Sequence, residues 1–260
     1  MLRLTTVLVL AAIAMITHAS QEALTKRQLA SIKSQVTEAA EVFNYASVGP
    51  LSNNTEKYFI ASFETSADQH RNEKESTESQ ESIQRCAIFF MRGDGFTLLA
   101  KSGPLISYGP RDGINCAVAS GSVEIHHRNS STLCSEFNET WKFKLSNSQF
   151  ILVGYDSASS DGCESPVFAE TATSINFLSN EARLWRKSGE VIELWSKTAR
   201  WNKPYVIKKA TRNKEFSIRI EPHMQFVFEL FDIEAFEGWM KQHKDLCGYI
   251  DEHYKYVPCR

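Results

Sequence analysis

From Glu139 to Lys187 apolar residues recur at every second position on either side of short polar turns, and a stretch with that period is confined to a sheet. Trp141, Phe143 and Leu145 alternate with Lys142 and Lys144. Successive side chains of a strand leave opposite faces, so this segment is predicted to have one buried and one wet face. Ser146-Asn147-Ser148 turns the chain into the continuous apolar run Phe150–Tyr155, the pattern of a central strand, which small polar residues from Asp156 to Asp161 are expected to close. Thr171–Leu178 repeats the alternation, and Ser179-Asn180 turns it into Glu181–Lys187. Two successive hairpins are the minimum reading.

Three strings within this stretch carry a resemblance. W-K-F-K-L at 141–145, I-L-V-G-Y-D at 151–156 and T-A-T-S-I-N-F-L at 171–178 resemble a group of exported bacterial proteins of unknown function. Those proteins combine an aromatic-rich strand, a turn, an I-G-Y-D-like strand and a T-x-S-x-N-(F/Y)-L strand. The likeness extends back toward Tyr58 through C-A-I-F-F-M-R and F-T-L-L-A-K-S, about half of the chain, and its motifs are structural. Some members carry a D-x-N-x-D-G-like loop that implies calcium; here the region reads Ser52-Asn53-Asn54-Thr55-Glu56-Lys57, so no calcium site carries over.

Residues 1–19 have the three parts of an export signal: Arg3, an apolar core from Leu4 to Ile16, and Thr17-His18-Ala19 before the cut. The core is shorter than the roughly 20 residues a spanning helix needs, so no membrane span is expected after cleavage. Losing residues 1–19 removes one positive charge and takes the formal charge from −2 to −3. Such a chain has neither a nucleic-acid footprint nor a polybasic membrane patch. Lys197, Arg200, Lys203, Lys208, Lys209, Arg212 and Lys214 are read as scattered through a loop-like stretch.

Gln21–Asn44 places Leu29, Ile32, Val36, Ala39 or Ala40 and Phe43 at three- and four-residue steps, which predicts one amphipathic helix ended by Gly49-Pro50. Tyr58–Phe63 and Cys86–Met91 read as strands. The run from Glu64 to Ser82 between them is too polar to bury surface and is expected to form a long mobile loop. Gly93-Asp94-Gly95 turns into Phe96–Lys101, and Val123–His127 is one more strand. Val191–Trp201 follows as a strand before a turn at Asn202-Lys203-Pro204. Phe216–Ile220 alternates, Gln225–Phe231 is a more apolar strand, and Asp232 is placed to cap a helix from Ile233 to about Cys247 with Ile233, Phe236, Trp239 or Met240 and Leu246 buried.

The fold expected is α+β: one twisted antiparallel β-sheet, an N-terminal amphipathic helix against it, and a C-terminal strand-helix unit. After the signal at 1–19, the helix-plus-sheet domain spans 20–200 and the C-terminal unit 213–260.

Six cysteines in an exported chain imply disulfides, and six allow fifteen connectivities. Local closure favours Cys247 with Cys259 and Cys116 with Cys134, leaving Cys86 with Cys163. No C-x-x-C or close His spacing exists for a metal or redox site, and His126 and His127 are adjacent and so leave opposite faces of a strand. The string Ala117-Val118-Ala119-Ser120-Gly121 lacks the first glycine of a hydrolase elbow. The sequence therefore designates no catalytic residue, no metal ligand and no cofactor. What it favours is a non-catalytic periplasmic or secreted protein that binds another protein, such as an immunity or inhibitor protein against a toxin or enzyme of the envelope. Trp185, Trp195, Trp201 and Tyr205 are the candidate contact residues, because aromatic side chains dominate interface energies. A hydrolase using Asp156, Asp161 or His126 and a structural envelope module are the alternatives.

Overall fold

The computed structural model describes residues 24–36, 39–48, 57–65, 81–93, 95–108, 113–119, 121–129, 136–161, 167–194, 205–220, 226–243, 246 and 249–257. Antiparallel sheet dominates, with two helices, as the α+β reading requires. The first departure from expectation is at the N-terminus. Helix α1 covers only Lys26–Gln35, opened by a capping box in which the Thr25 hydroxyl accepts from the Gln28 amide and the Gln28 side chain accepts from the Thr25 amide. Residues 39–44, read as the end of that helix, belong to strand β1 (Ala39–Val48). Alanine fits both periods, and Val42, Phe43, Tyr45 and Val48 favour the extended backbone once a strand is available to pair with.

That partner is β2 (Lys57–Thr65), which pairs in turn with β3 (Glu81–Arg92). β3 is long enough to hold two strands on one edge: β4 (Gly95–Lys101) against Ala87–Arg92 and β5 (Leu105–Tyr108) against Glu81–Gln84. Ser102 sits at the junction, its amide donating to the Cys86 carbonyl at 2.8 Å and its hydroxyl accepting from the Cys86 amide at 2.9 Å. The polar run expected as a loop is bounded by Thr65 and Glu81, and residues 66–80 lie outside the described set.

The second sheet has seven strands. In chain order they are β6 (Gly113–Ala119), β7 (Ser122–Asn129), β8 (Glu136–Ser146), β9 (Gln149–Asp161), β10 (Val167–Asn176), β11 (Glu181–Leu194) and β12 (Tyr205–Arg219), and they form an unbroken antiparallel meander. The two-residue turn between β8 and β9 has Asn147 at φ 49° and Ser148 at φ 66°, the double positive φ whose twist suits a hairpin. Two sheets therefore replace the single one expected. The reason is visible in β2 and β3, where residues of both parities are buried: Tyr58, Ile60, Cys86 and Ile88 pack toward the larger sheet, while Phe59, Phe63, Ala87 and Phe89 pack with Ile32, Val36 and Phe96. A sheet apolar on both faces is a middle layer. The Gln35 side chain fixes α1 to that layer, donating to the Phe96 carbonyl and accepting from the Leu98 amide, both at 2.8 Å.

Strand limits move as well. Asp156–Asp161, expected to close β9, continues it, paired with β8 on one side and β10 on the other. The strand expected over Phe216–Ile220 begins at Tyr205, so residues 205–212, left between the two expected units, belong to the larger sheet. Gln225–Phe231 is not a strand in its described part. The Phe226 carbonyl accepts from the Leu152 amide at 2.9 Å, and Phe228–Leu230 is a single 3₁₀ turn. Asp232 then caps α2 (Ile233–Gln242), its carboxylate accepting from the Ala235 amide at 3.0 Å, and Ile233, Phe236 and Trp239 are buried as the pattern predicts; the helix ends at Gln242 and not near Cys247, and Leu246 is buried beyond it. This segment lays Phe226, Phe228, Phe231 and Phe236 over Trp141, Phe143 and Tyr155, with ring centroids 4.8–6.0 Å apart for Tyr155–Phe236, Phe143–Phe231, Phe143–Phe228, Trp141–Phe231 and Trp141–Phe236. The short hairpin of β13 (Tyr249–Ile250) and β14 (Tyr256–Val257) meets β11, where Arg186 Nη1 donates to the Ile250 carbonyl at 2.9 Å.

Cys86 of β3 is bonded to Cys116 of β6, joining the two sheets across a Cα–Cα distance of 6.3 Å. This replaces both expected pairings, Cys116–Cys134 and Cys86–Cys163. Sequence separation was the wrong guide: β3 and β6 are 30 residues apart in the chain and adjacent only because one sheet packs on the other. Cys134, Cys163, Cys247 and Cys259 lie outside the described residues.

Candidate functional site

With Val123, Ile125, His127, Trp141, Phe143 and Tyr155 turned inward, alternation places Glu124 and His126 of β7, Thr140, Lys142 and Lys144 of β8, Gly154 and Asp156 of β9, Ser174 and Asn176 of β10 and Arg183 and Trp185 of β11 on the opposite, outward face of the larger sheet. Register brings five of these into two groups of contacts across three strands. His126 Nδ1 meets Thr140 Oγ1 at 3.0 Å and its Nε2 lies 3.3 Å from Glu124 Oε2, while Ser122 Oγ donates to Glu124 Oε1 at 3.3 Å. Lys142 forms an ion pair with Asp156. The stem of Lys142 reaches across Gly154, where a Cβ would meet the lysine carbons at 3.6–3.7 Å. Ser122, Glu124, Lys142, Lys144, Asp156, Ser174, Asn176 and Leu178 surround an open cleft of about 320 Å³.

The electrostatics of the cleft follow from burial. Desolvation raises the Glu124 carboxyl above its ordinary 4.5, against the opposing pull of the Lys142 charge and the Ser122 hydrogen bond. Desolvation lowers His126 below its ordinary 6.5, and the Lys142 charge lowers it further. The cleft thus holds a carboxyl whose charged form is disfavoured by burial, beside the ion pair of Asp156 with Lys142. In this sheet each group is already bound to a neighbour. The single Ser122 hydroxyl proton is shared between the Ala119 carbonyl at 2.8 Å and Glu124 Oε1 at 3.3 Å. Among the described residues no three His, Cys, Asp or Glu side chains are grouped to hold a metal ion.

Of the residues singled out in the sequence, His126 and Asp156 come together on this face. Asp161 is the last residue of β9. Trp185 stands on the same face, half-buried, beside Ala172 and Ala158 in the register and one position from Arg183 on its own side of the strand. Trp195 and Trp201 lie outside the described residues, and Tyr205 opens β12 opposite Leu194. The adjacent histidines separate as alternation requires. His127 is buried on the inward face, stacked on Trp141 with ring centroids 6.3 Å apart, its Nδ1 2.9 Å from Glu139 Oε2. Tyr155 Oη donates to the other oxygen of Glu139 at 2.6 Å. Glu124 and Lys142 were missed as site residues; their signal was the alternation itself, which sets them on the wet side of two neighbouring strands.

No protein-family model, no curated protein and no solved structure matches this chain.

Proposed function

We propose that this chain is an exported, non-catalytic protein that binds another protein through the outward face of its larger sheet, in the manner of an inhibitor or immunity protein acting on a toxin or enzyme of the envelope. The observation that carries the reading is the composition of that face. Lys144, Ala158, Asn176, Arg183, Asn213, Glu215, Ser217 and Arg219 are exposed along it, charges of both signs are present, and Trp185 is its aromatic anchor beside Ala172 and Ala158. A polar rim around a rigid aromatic is how binding energy is concentrated at protein interfaces. The ion pair of Lys142 with Asp156 sets two opposite charges at fixed places on that face, and fixed charges specify a partner.

The test is capture of envelope proteins by wild-type chain and by Trp185→Ala and Arg183→Glu variants. One protein held by the wild type and lost by both variants, with thermal midpoints within roughly 2–4 °C (about 1 kcal/mol in a domain of this size), supports the reading. A hydrolase is the second reading, favoured by the gathering of Glu124 and Asp156 around one cleft, with His126 3.3 Å from Glu124. Turnover of a glycan or peptide substrate that disappears in Glu124→Gln and Asp156→Asn would replace binding with catalysis.

A further inference from the structure

The larger sheet has two edges, and they are treated differently. The β6 edge is closed off: β6 lies against β1, β2 and β5 of the smaller sheet and is bonded to it through Cys116. Among the described residues the β12 edge is open, for β12 pairs with β11 along the whole of Glu181–Leu194 and no described strand pairs with its other side. An edge strand of this length presents a row of backbone N–H and C=O groups, about half of its residues pointing theirs away from the sheet.

The charge on that edge is one-sided. β12 carries Lys208, Lys209, Arg212, Lys214 and Arg219 against the single acid Glu215, in a chain whose formal charge is −2. Its neighbour β11 is balanced, with Glu181, Glu190 and Glu193 against Arg183, Arg186 and Lys187. The positive charge is therefore a property of the edge and not of the sheet. Basic residues on an edge repel a like-charged strand, which blocks a second copy of this chain from pairing there in the same way. A strand with Asp and Glu opposite the basic positions removes the block, since opposite charges paired across strands attract.

We infer that β12 is a docking edge for an acidic extended segment of the partner protein, which adds to the sheet as an eighth strand. The inference rests on the reading of the chain as a protein-binding module and deepens it by naming the partner's recognition element. A strand is the occupant that uses the whole edge. Its backbone pairs with both the N–H and the C=O groups of β12, whereas a phosphate polyanion offers acceptors only and leaves the outward N–H groups alone to bind it.

The experiment titrates the full chain with a fluorescent peptide of alternating Thr and Glu, long enough to span β12, and with the same peptide N-methylated at every second residue. Saturable binding of the first peptide, slowed amide exchange in β12, and a loss of tenfold or more in affinity on N-methylation are expected. Lys208→Glu with Lys209→Glu should weaken binding by a similar factor. Absence of binding, equal binding of the N-methylated peptide or of inorganic polyphosphate, or unchanged exchange in β12 overturns the inference, and the N-methylation comparison does so on wild-type protein whether or not the charge-reversed variant folds. A partner captured through Trp185 while the acidic peptide fails to bind overturns the edge and leaves the proposed function standing. Loss of Trp185-dependent capture with peptide binding intact does the reverse.

Discussion

Replacing Tyr155 with Phe removes one oxygen and nothing else from the inward face, because the ring keeps its contacts with Trp141 at 5.8 Å and Phe236 at 4.8 Å between centroids. What is lost is the bond from the hydroxyl to Glu139 Oε1, 2.6 Å long and buried. A hydrogen bond to a charged acceptor contributes about 1.5–3 kcal/mol, so Tyr155→Phe should lower the thermal midpoint by roughly 3–12 °C at the scale expected for a domain of this size. Glu139→Ala goes further. It strands both the Tyr155 hydroxyl and the His127 ring nitrogen that meets Oε2, at about 1–3 kcal/mol for each buried group left unsatisfied. In that background the hydroxyl has lost its Glu139 acceptor and keeps only its contact with Ser157, so adding Tyr155→Phe should cost little. The coupling energy of the double-mutant cycle is then about 2 kcal/mol, well above the ~0.5 kcal/mol within which independent sites add. Urea denaturation of the four proteins measures it. Equal costs of Tyr155→Phe with and without Glu139 would refute the claim that these groups act as one buried unit.

The same hydroxyl sets a limit at high pH. Burial first, and then the charge and hydrogen bond of Glu139, push the Tyr155 phenol well above its ordinary value near 10. A raised acid is fully favourable to folding below the unfolded-state value and loses its contribution as pH climbs toward the folded-state value. Stability should therefore decline above about pH 10, and Tyr155→Phe should lose less stability than wild type between about pH 10 and pH 11 in a denaturation series. The Cys86–Cys116 bond closes a separation of 30 residues, for which the chain-entropy relation gives roughly 3–4 kcal/mol. Cys86→Ser with Cys116→Ser should lower urea stability by that order, and a non-reducing digest of wild type should yield a cross-linked peptide containing both cysteines. A digest that instead links Cys86 to Cys163 or Cys116 to Cys134 would contradict the packing of the two sheets.

How much of this was readable from the sequence depends on how local the deciding interaction is. The Glu139–Lys187 meander, its turn at Asn147-Ser148 and the Asp232 cap were legible because each is settled within a few residues: by alternation, by residues tolerant of positive φ, and by a carboxylate beside unpaired amides. The strand at 39–48 was not, because its alanines satisfy the helical period as well and only pairing with β2 decides between them. The length of β9 was hidden for the same reason, since Ser157, Ala158, Ser159 and Ser160 have weak strand preferences and are held extended by neighbours on both sides. The disulfide depended on a contact between sheets, which no spacing encodes.

The candidate site falls between these cases. Each of Glu124, His126, Lys142 and Asp156 could be given its face from alternation alone, yet their meeting depends on register, which a one-residue slip would reverse for a whole strand. Here register is pinned from the other side of the sheet: Val123 faces Phe143, Ile125 faces Trp141 and Trp141 faces Tyr155, and all five are buried. Shifting β8 by one position would put Trp141 in water and Lys142 in the core, so the apolar layer that stabilises the sheet also dictates which charges share the outward cleft. A charge pattern built this way is rigid, because altering it by register would cost the core. The charge pattern of the outward face can accordingly change only by substitution at the outward positions themselves.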